Sequence, residues 1–434
     1  MRNMRIWFLV LMAALLLCGC STVDDMYLIP KRSQEYNDLQ SAIDGAMTEL
    51  SYSAPVAGEN RQSVQMADLD GDGIEEYLVF AKDNNEKPLK ILVFRSVADR
   101  YDHVTTLENN GTAFDQVEYI QLDDNPGLEI VVGRQVSDQV FRSMTVYSMD
   151  ADGVKQIISD NYTKLLPVDM NSDATGELLL IKPGDTDTDK GTVFLYATEN
   201  GTMARSNEVY MSQPADKIKR IVVGKQQDGG YGVYVGSIVD ESTLITDVFV
   251  LRDGLLTNLT LSVESGTSIK TMRNYYIYAD DVDDDGVVEL PSLITMKPVS
   301  TLYSSDQLHL IRWYALTASG EEKNKMYTFH NFLDGWYLQL DEELIDRITV
   351  SMKGTSYQFF MWDKEYRTTE ELLSITANAV QSRTELEGAF VLSRTDSVVY
   401  TAKLTPHAEK YGITQDSVIY NFRLIHQDWK TGET

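Results

Sequence analysis

A mainly β chain of repeated antiparallel sheets is what this sequence predicts, and three observations carry the prediction. The acidic segment Asp68, Asp70, Asp72, Gly73, Glu76 recurs in the same register as Asp281, Asp283, Asp285, Gly286, Glu289. Weaker copies lie between the two. Each copy is followed by apolar, β-branched and aromatic runs of strand length, separated by polar turns. A unit of about 50 residues holding a few short strands has the size of a propeller blade. The expected fold is therefore a β-propeller with five visible repeats, six or seven blades in all, and a small C-terminal α+β module.

The repeated segment has the frame Asp-x-Asp-x-Asp-Gly-x-x-Glu, which is calcium-ligand chemistry on a tight loop. A hard cation takes six to eight oxygens at roughly 2.3–2.6 Å. Carboxylates at positions 1, 3 and 5 converge if the backbone turns sharply, and the glycine at position 6 tolerates the positive φ of such a turn. Position 7 offers a backbone carbonyl (Ile74, Val287), and position 9 closes the cage with Glu76 or Glu289. An EF-hand is excluded, because it needs a glutamate at position 12 and two flanking helices. Here position 12 is Val79 or Ser292, and the residues after Glu76 read as a strand.

The intermediate copies are graded. Asp169, Asn171, Asp173 and Glu177 keep all four ligand positions, with Ala174 in place of the glycine. Gln121, Asp123, Asn125 and Glu129 keep positions 3, 5 and 9. The segment 221–235 keeps strand, turn and strand but few ligands. The ninth positions Glu76, Glu129, Glu177, Gly232 and Glu289 lie 53, 48, 55 and 57 residues apart. A second apolar strand follows each loop at Leu89–Phe94, Thr145–Tyr147, Thr192–Tyr196 and Thr246–Leu251. Turn signals stand between strands at Asp152-Gly153, Asn200-Gly201 and Asp253-Gly254. Continuous apolar runs, in place of strict alternation, predict sheets buried on both faces.

These loops, their period and the strand after each resemble the FG-GAP/VCBS repeats of integrin-α-like β-propellers, over roughly Val64 to Ile294. The family's Gly-Ala-Pro tail is missing, and Val132-Gly133-Arg134 stands where it would be. The resemblance implies structural calcium at Asp68, Asp70, Asp72 and Glu76, at Asp281, Asp283, Asp285 and Glu289, and, from a partial match, at Asp169, Asn171, Asp173 and Glu177. The stretch from Ser53 to Asp70 looks like the opening of bacterial lipoproteins that carry such repeats.

The ends fit an exported protein. Arg2 and Arg5 precede an apolar run from Ile6 to Leu17, too short to span a bilayer stably. Leu17-Cys18-Gly19-Cys20 resembles a lipobox, so residues 1–19 are expected to be a signal peptide and Cys20 the lipidated residue. A tether would follow over 20–33, then a helix and lead-in over 34–62, with Leu39, Ile43, Met47 and Leu50 at helical spacing. The propeller is expected over 63–340, with residues 300–340 supplying a sixth blade. An α+β module or divergent closing blade would occupy 341–434, including a helix from Gln415 to about Gln427 capped by Thr414. With Cys18 in the leader and Cys20 consumed by the lipid, the mature domain is expected to have no disulfide to staple its loops.

The net charge of −28 excludes nucleic-acid binding. His103, His309, His330, His407 and His426 show no zinc spacing, and no nucleophile elbow or phosphate loop occurs. No catalytic residue or organic cofactor is assigned. The expected function is a membrane-anchored, calcium-stabilised scaffold on the outer face of the cytoplasmic or outer membrane, binding a surface protein or glycan. The alternative is a polysaccharide or cell-wall hydrolase, for which Asp334, Asp341, Glu342 and Glu343 near Trp336 and Trp362 would line the site.

Overall fold

In a computed structural model the chain is a β-propeller, with six antiparallel sheets among the described residues. Residues 34–98, 100–136, 142–150, 153–186, 189–199, 201–296, 308–362, 369–380 and 387–425 are described. The expected signal peptide, Cys20 and tether lie outside them. No described helix is long and apolar enough to cross a membrane.

The first sheet holds β1 (Ser51–Tyr52), β2 (Val64–Ala67), β3 (Glu76–Lys82), β4 (Leu89–Val97) and β5 (Arg100–Asn109), with β1 and β2 both pairing along β3. The second holds β6 (Ala113–Ile120), β7 (Glu129–Gln135), β8 (Arg142–Asp150) and β9 (Gly153–Tyr162). The third holds β10 (Lys164–Val168), β11 (Glu177–Lys182), β12 (Thr192–Glu199) and β13 (Thr202–Tyr210). The fourth holds β14 (Ile218–Lys225), β15 (Tyr231–Ile238), β16 (Leu244–Arg252) and β17 (Leu255–Asn258). The fifth runs β18 (Glu289–Thr295), β19 (His309–Leu316), β20 (Glu322–Asn331) and β21 (Trp336–Leu340). The sixth has β22 (Ile348–Lys353), β23 (Ser356–Trp362), β24 (Thr369–Ala379), β26 (Val398–Leu404) and β25 (Phe390–Arg394), in that spatial order.

The continuous apolar runs are explained by where alternate side chains go. In β11, Leu178 and Leu180 enter a cluster with Val131 and Val146 of the second sheet. Leu179 and Ile181, pointing the other way, join Val233 and Phe249 of the fourth. All four are fully buried, and burial of each such side chain stabilises by roughly 1.5–3 kcal/mol. Equivalent clusters join the first sheet to the second (Phe80, Ile91, Val117, Val132) and the fourth to the fifth (Tyr234, Val248, Leu290, Tyr314). Phe329, Trp336, Phe359 and Ile375 join the fifth to the sixth. Among the described residues no buried apolar cluster links the sixth sheet to the first. The remaining face of the first sheet is covered by α1 (Gln34–Ala46), whose Leu39 and Ile43 pack on Val79, Ala81, Leu92 and Phe94.

Two expectations for the C-terminal part are corrected. Residues 308–340 complete the fifth sheet, because β18, β19, β20 and β21 pair in sequence. The sixth sheet comes from 348–404. The C-terminal helix α2 (Gln415–Asn421) is shorter than predicted. Thr414 caps it, its Oγ1 accepting from the Ser417 N–H at 3.2 Å. It ends where β27 (Phe422–Leu424) turns extended to pair with β21, setting Phe422 opposite Leu338.

The fifth sheet buries an imidazole. His330 lies on β20, stacked on Tyr337 at 4.9 Å and 5.3 Å from Phe332, and burial drops its pKa to about 3. The unfolded chain takes up this proton below the ordinary histidine range and the native protein does not. Stability from this group is therefore complete above pH about 6.5 and lost as pH falls toward 3, with a slope approaching about 1.4 kcal/mol per pH unit. Urea unfolding of His330→Gln should show that slope removed from the acid limb; an unaltered limb would reject the assignment.

Candidate metal centres

Each acidic corner is built around its ninth residue. Glu76, Glu129, Glu177 and Glu289 are buried; the first three each open the second strand of a hairpin, whereas Glu289 opens β18, the first strand of the fifth sheet, and faces Asp280 across an isolated bridge. In every one, Oε2 accepts the backbone N–H of the second loop residue: Leu69 at 2.9 Å, Leu122 at 2.8 Å, Met170 at 2.9 Å and Val282 at 3.1 Å. Those four apolar residues are buried too. The glutamate thus pins the loop's start to its end while an apolar side chain anchors the start in the core.

The first residue organises the rest. Asp68 accepts the N–H groups of Gly71 and Gly73, Asp169 those of Asp173 and Ala174, and Asp281 those of Asp285 and Gly286, at 2.7–3.2 Å. The fifth residue accepts the N–H of the seventh: Asp72 from Ile74, Asp173 from Thr175, Asp285 from Val287. These wraps require positive φ at positions 4 and 6 alike. Gly71 and Gly73 take φ of 72° and 85°, Ser172 and Ala174 61° and 73°, Asp284 and Gly286 60° and 82°. The sequence pattern identified position 6 only.

Carboxylate oxygens of Asp68, Asp70 and Glu76 lie within 4.8 Å of one another, as do those of Asp281, Asp283 and Asp285. Asp72 is exposed beside the first set. Glu289 is fully buried beside the second, and its Oε1 has no hydrogen-bond partner. In the third loop Asn171 supplies a neutral oxygen between Asp169 and Asp173, its Nδ2 bonding to Asp173 at 2.8 Å. These all-oxygen sets suit a hard divalent cation such as calcium. Burial raises the carboxyl pKa values of Glu76 and Glu129, lifts that of Glu177 to about 7 and that of Glu289 to about 8, with neighbouring aspartates adding to it. The energetic demand of these sites is thus for positive charge.

Two cationic side chains, missed from the sequence, meet that demand. Arg95 on β4 bonds through Nη2 to Asp70 and through Nε to Glu76 at 3.2 Å. Lys325 on β20 bonds to Asp285 and lies 3.8 Å from Glu289. A signal for Arg95 was present: the apolar runs of β3 and β4 pair Tyr77 with Phe94, which sets Arg95 beside Glu76.

The degenerate loops are a different structure. Gln121 donates Nε2 to the carbonyls of Asp123, at 2.7 Å, and Asn125, the reverse of the polarity that an aspartate gives. Segment 225–231 is a hairpin turn closed by Gln226 N–H to Gly230 O at 2.6 Å. The corners are nevertheless linked from sheet to sheet. Leu128 N–H donates to Asp68 O, Gly176 to Gln121 O, Tyr231 to Met170 O and Val288 to Lys225 O, at 2.7–3.1 Å. The sugar site considered for the C-terminal part loses its main aromatic, since Trp336 is fully buried against Phe329, Tyr357 and Phe422.

Ala174→Gly should raise stability by about 1 kcal/mol, because alanine is held in a left-handed conformation there. Gly71→Ala should cost more than Gly73→Ala, since a Cβ at 71 meets Pro126 of the next corner at 2.6 Å whereas position 73 is open. Chemical denaturation of the three variants checks both the backbone strain and the linkage between corners.

No family model matches the chain, and no curated protein does. Among solved structures it is similar to a protein from Lactobacillus plantarum (11% identity, TM-score 0.30, 73% of this chain and 85% of that one). It is similar to the exotype rhamnogalacturonan lyase YesX (10%, 0.29, 75% and 65%) and to a putative 6-phosphogluconolactonase from Bacteroides uniformis (11%, 0.27, 74% and 94%). Likenesses this distant carry no argument about function; the propeller assignment rests on the sheets themselves.

Proposed function

We propose that the chain is a lipid-anchored, extracytoplasmic scaffold of the FG-GAP/VCBS kind, whose propeller is stabilised by calcium at Asp68–Glu76, Asp169–Glu177 and Asp281–Glu289 and binds a surface protein or glycan. The observation that carries this reading is the buried ninth glutamate repeated at four corners, with converging acidic oxygens at the corners of the first and fifth sheets. Export and anchoring rest on the leader and Cys20. Millimolar extracellular calcium suits exposed loops of this type. A groove of about 630 Å³ between α1 and the first sheet, edged by Tyr36, Tyr77, Tyr101 and Gln62, has the size of a recognition cleft.

A cation that binds only the native state stabilises by mass action. Chelation should therefore lower the melting temperature, with calcium restoring it, and replacing the third loop residue in all three corners (Asp70→Ala, Asn171→Ala, Asp283→Ala) should abolish the response. Identical melting curves with calcium and chelator would reject structural calcium. Separately, labelling with a radioactive fatty acid in a bacterial host should mark the protein, and Cys20→Ala should release it unlabelled; a labelled C20A variant would reject the anchor.

A further inference from the structure

Two of the three complete corners hold a side-chain cation among their carboxylates, and the way each gets there is specific. Lys325 is the unpaired residue of a β-bulge: Trp313 pairs with Met326, and Tyr314 with Asn324. A bulge re-aims the extra side chain out of the sheet's alternation, and here the ammonium bonds to Asp285. It stands 3.8 Å from Glu289 Oε1, beyond hydrogen-bond reach. That oxygen belongs to a fully buried carboxylate and accepts no hydrogen bond, while Oε2 is taken by Val282 N–H. The corner is therefore neutralised in part, with one buried oxygen still facing the cluster of Asp281, Asp283 and Asp285. In the first corner the Arg95 guanidinium bonds to Asp70 and Glu76, two of the three converging carboxylates. No side-chain cation pairs with the corner at Asp169–Glu177 among the described residues.

We propose that Arg95 and Lys325 are resident competitors for calcium, each neutralising its corner when metal is scarce and leaving it when calcium enters. The proposal rests on the calcium reading of these corners. A single positive charge on a side chain satisfies one or two carboxylates. A divalent ion in the same place takes six to eight oxygens at roughly 2.3–2.6 Å, including the Glu289 oxygen that lysine leaves unbonded. Entry of the ion breaks the lysine or arginine bonds, so the apparent affinity is reduced by the strength of those bonds. The two corners then load at higher calcium than their oxygens alone would set, and the apo protein keeps its fold through the resident cations. The corner at Asp169–Glu177 has no competitor and serves as the internal control.

The test is calcium titration calorimetry and melting of the full-length protein, purified in calcium, with Lys325→Met and Arg95→Met made separately. Each variant should melt at lower temperature than wild type in chelator and recover with calcium. Each should also gain one class of site binding about tenfold more tightly, and adding Asp283→Ala to Lys325→Met should remove that gain. If wild type binds calcium and neither variant binds it more tightly, Arg95 and Lys325 are plain ion-pair residues and the proposal fails while the calcium reading stands. If neither wild type nor variants bind calcium, the calcium reading fails and takes the proposal with it. The two variants lie in different sheets, so misfolding of one leaves the other decisive.

Discussion

The corners of this propeller depend on one interaction, a buried glutamate accepting the N–H of the residue seven positions before it. The bond closes each corner, but it leaves a carboxylate inside the protein, and a buried charge destabilises the fold unless it is paired. The four corners answer this differently. Glu76 has Arg95, Glu129 has the Ser148 hydroxyl at 3.0 Å, and Glu289 has Lys325 at a distance. Glu177 has the Met170 N–H, with Asp169 and Asp173 raising its pKa further. With carboxyl pKa values near 7 and 8 against an ordinary 4.5, Glu177 and Glu289 hold protons in the native state that the unfolded chain has released. Without a cation, stability from these groups is therefore present at low pH and lost as pH rises through the native values. A cation bound among these oxygens, as proposed, would take the proton's place as the compensating positive charge.

Because the corners are hydrogen-bonded in series, this electrostatic problem is shared. The carbonyl of Asp68 is held by the second corner and that of Gln121 by the third. The Lys225 turn is zipped to the fifth sheet through Gly286 and Val288. A corner that splays under repulsion displaces its neighbour's backbone as well as its own. The sheets beneath are insulated from this by apolar clusters that bury both faces of β7, β11 and β15. The hydrophobic core sets the fold, and charge decides how firmly one end of it is held.

What could be read from the sequence followed from what is local. The aspartate frame, the glycine at position 6 and the period are local, and they placed five corners and the strands after them. Position 4 was missed because its left-handed residue is a glycine only in the first loop; Ser172 and Asp284 show that hydrogen bonds from the loop aspartates hold any residue there. Arg95 and Lys325 were missed because strand pairing brings them in from outside the loop, Lys325 through a bulge that leaves no mark in residue type. The sixth sheet carries no acidic corner, so only its strands were visible, among them Tyr357–Trp362, whose alternate residues Tyr357, Phe359 and Met361 are buried. The C-terminal helix was overextended because helical spacing of Val418, Phe422 and Ile425 continues past the point where pairing with β21 wins.

The departures from the repeat pattern follow from the same constraint. Where the loop's first residue is glutamine, as at Gln121, the side chain donates to carbonyls and the corner needs no external charge; its glutamate is then served by a hydroxyl. Where the ninth residue is Gly232, no glutamate is buried, and the corner shrinks to a hairpin turn whose one aspartate, Asp228, accepts the Ala318 N–H of the fifth sheet. Loss of the ligand aspartates thus goes together with loss of the unpaired buried charge, either by neutral pairing or by deletion of the glutamate. Aspartates persist at the first and fifth loop positions of the three corners where the glutamate persists without a neutral side-chain partner, with Asn171 in place of the middle aspartate in one of them. That coincidence ties the aspartates to the buried carboxyl group beside which they stand, and under the proposed function both would serve one cation.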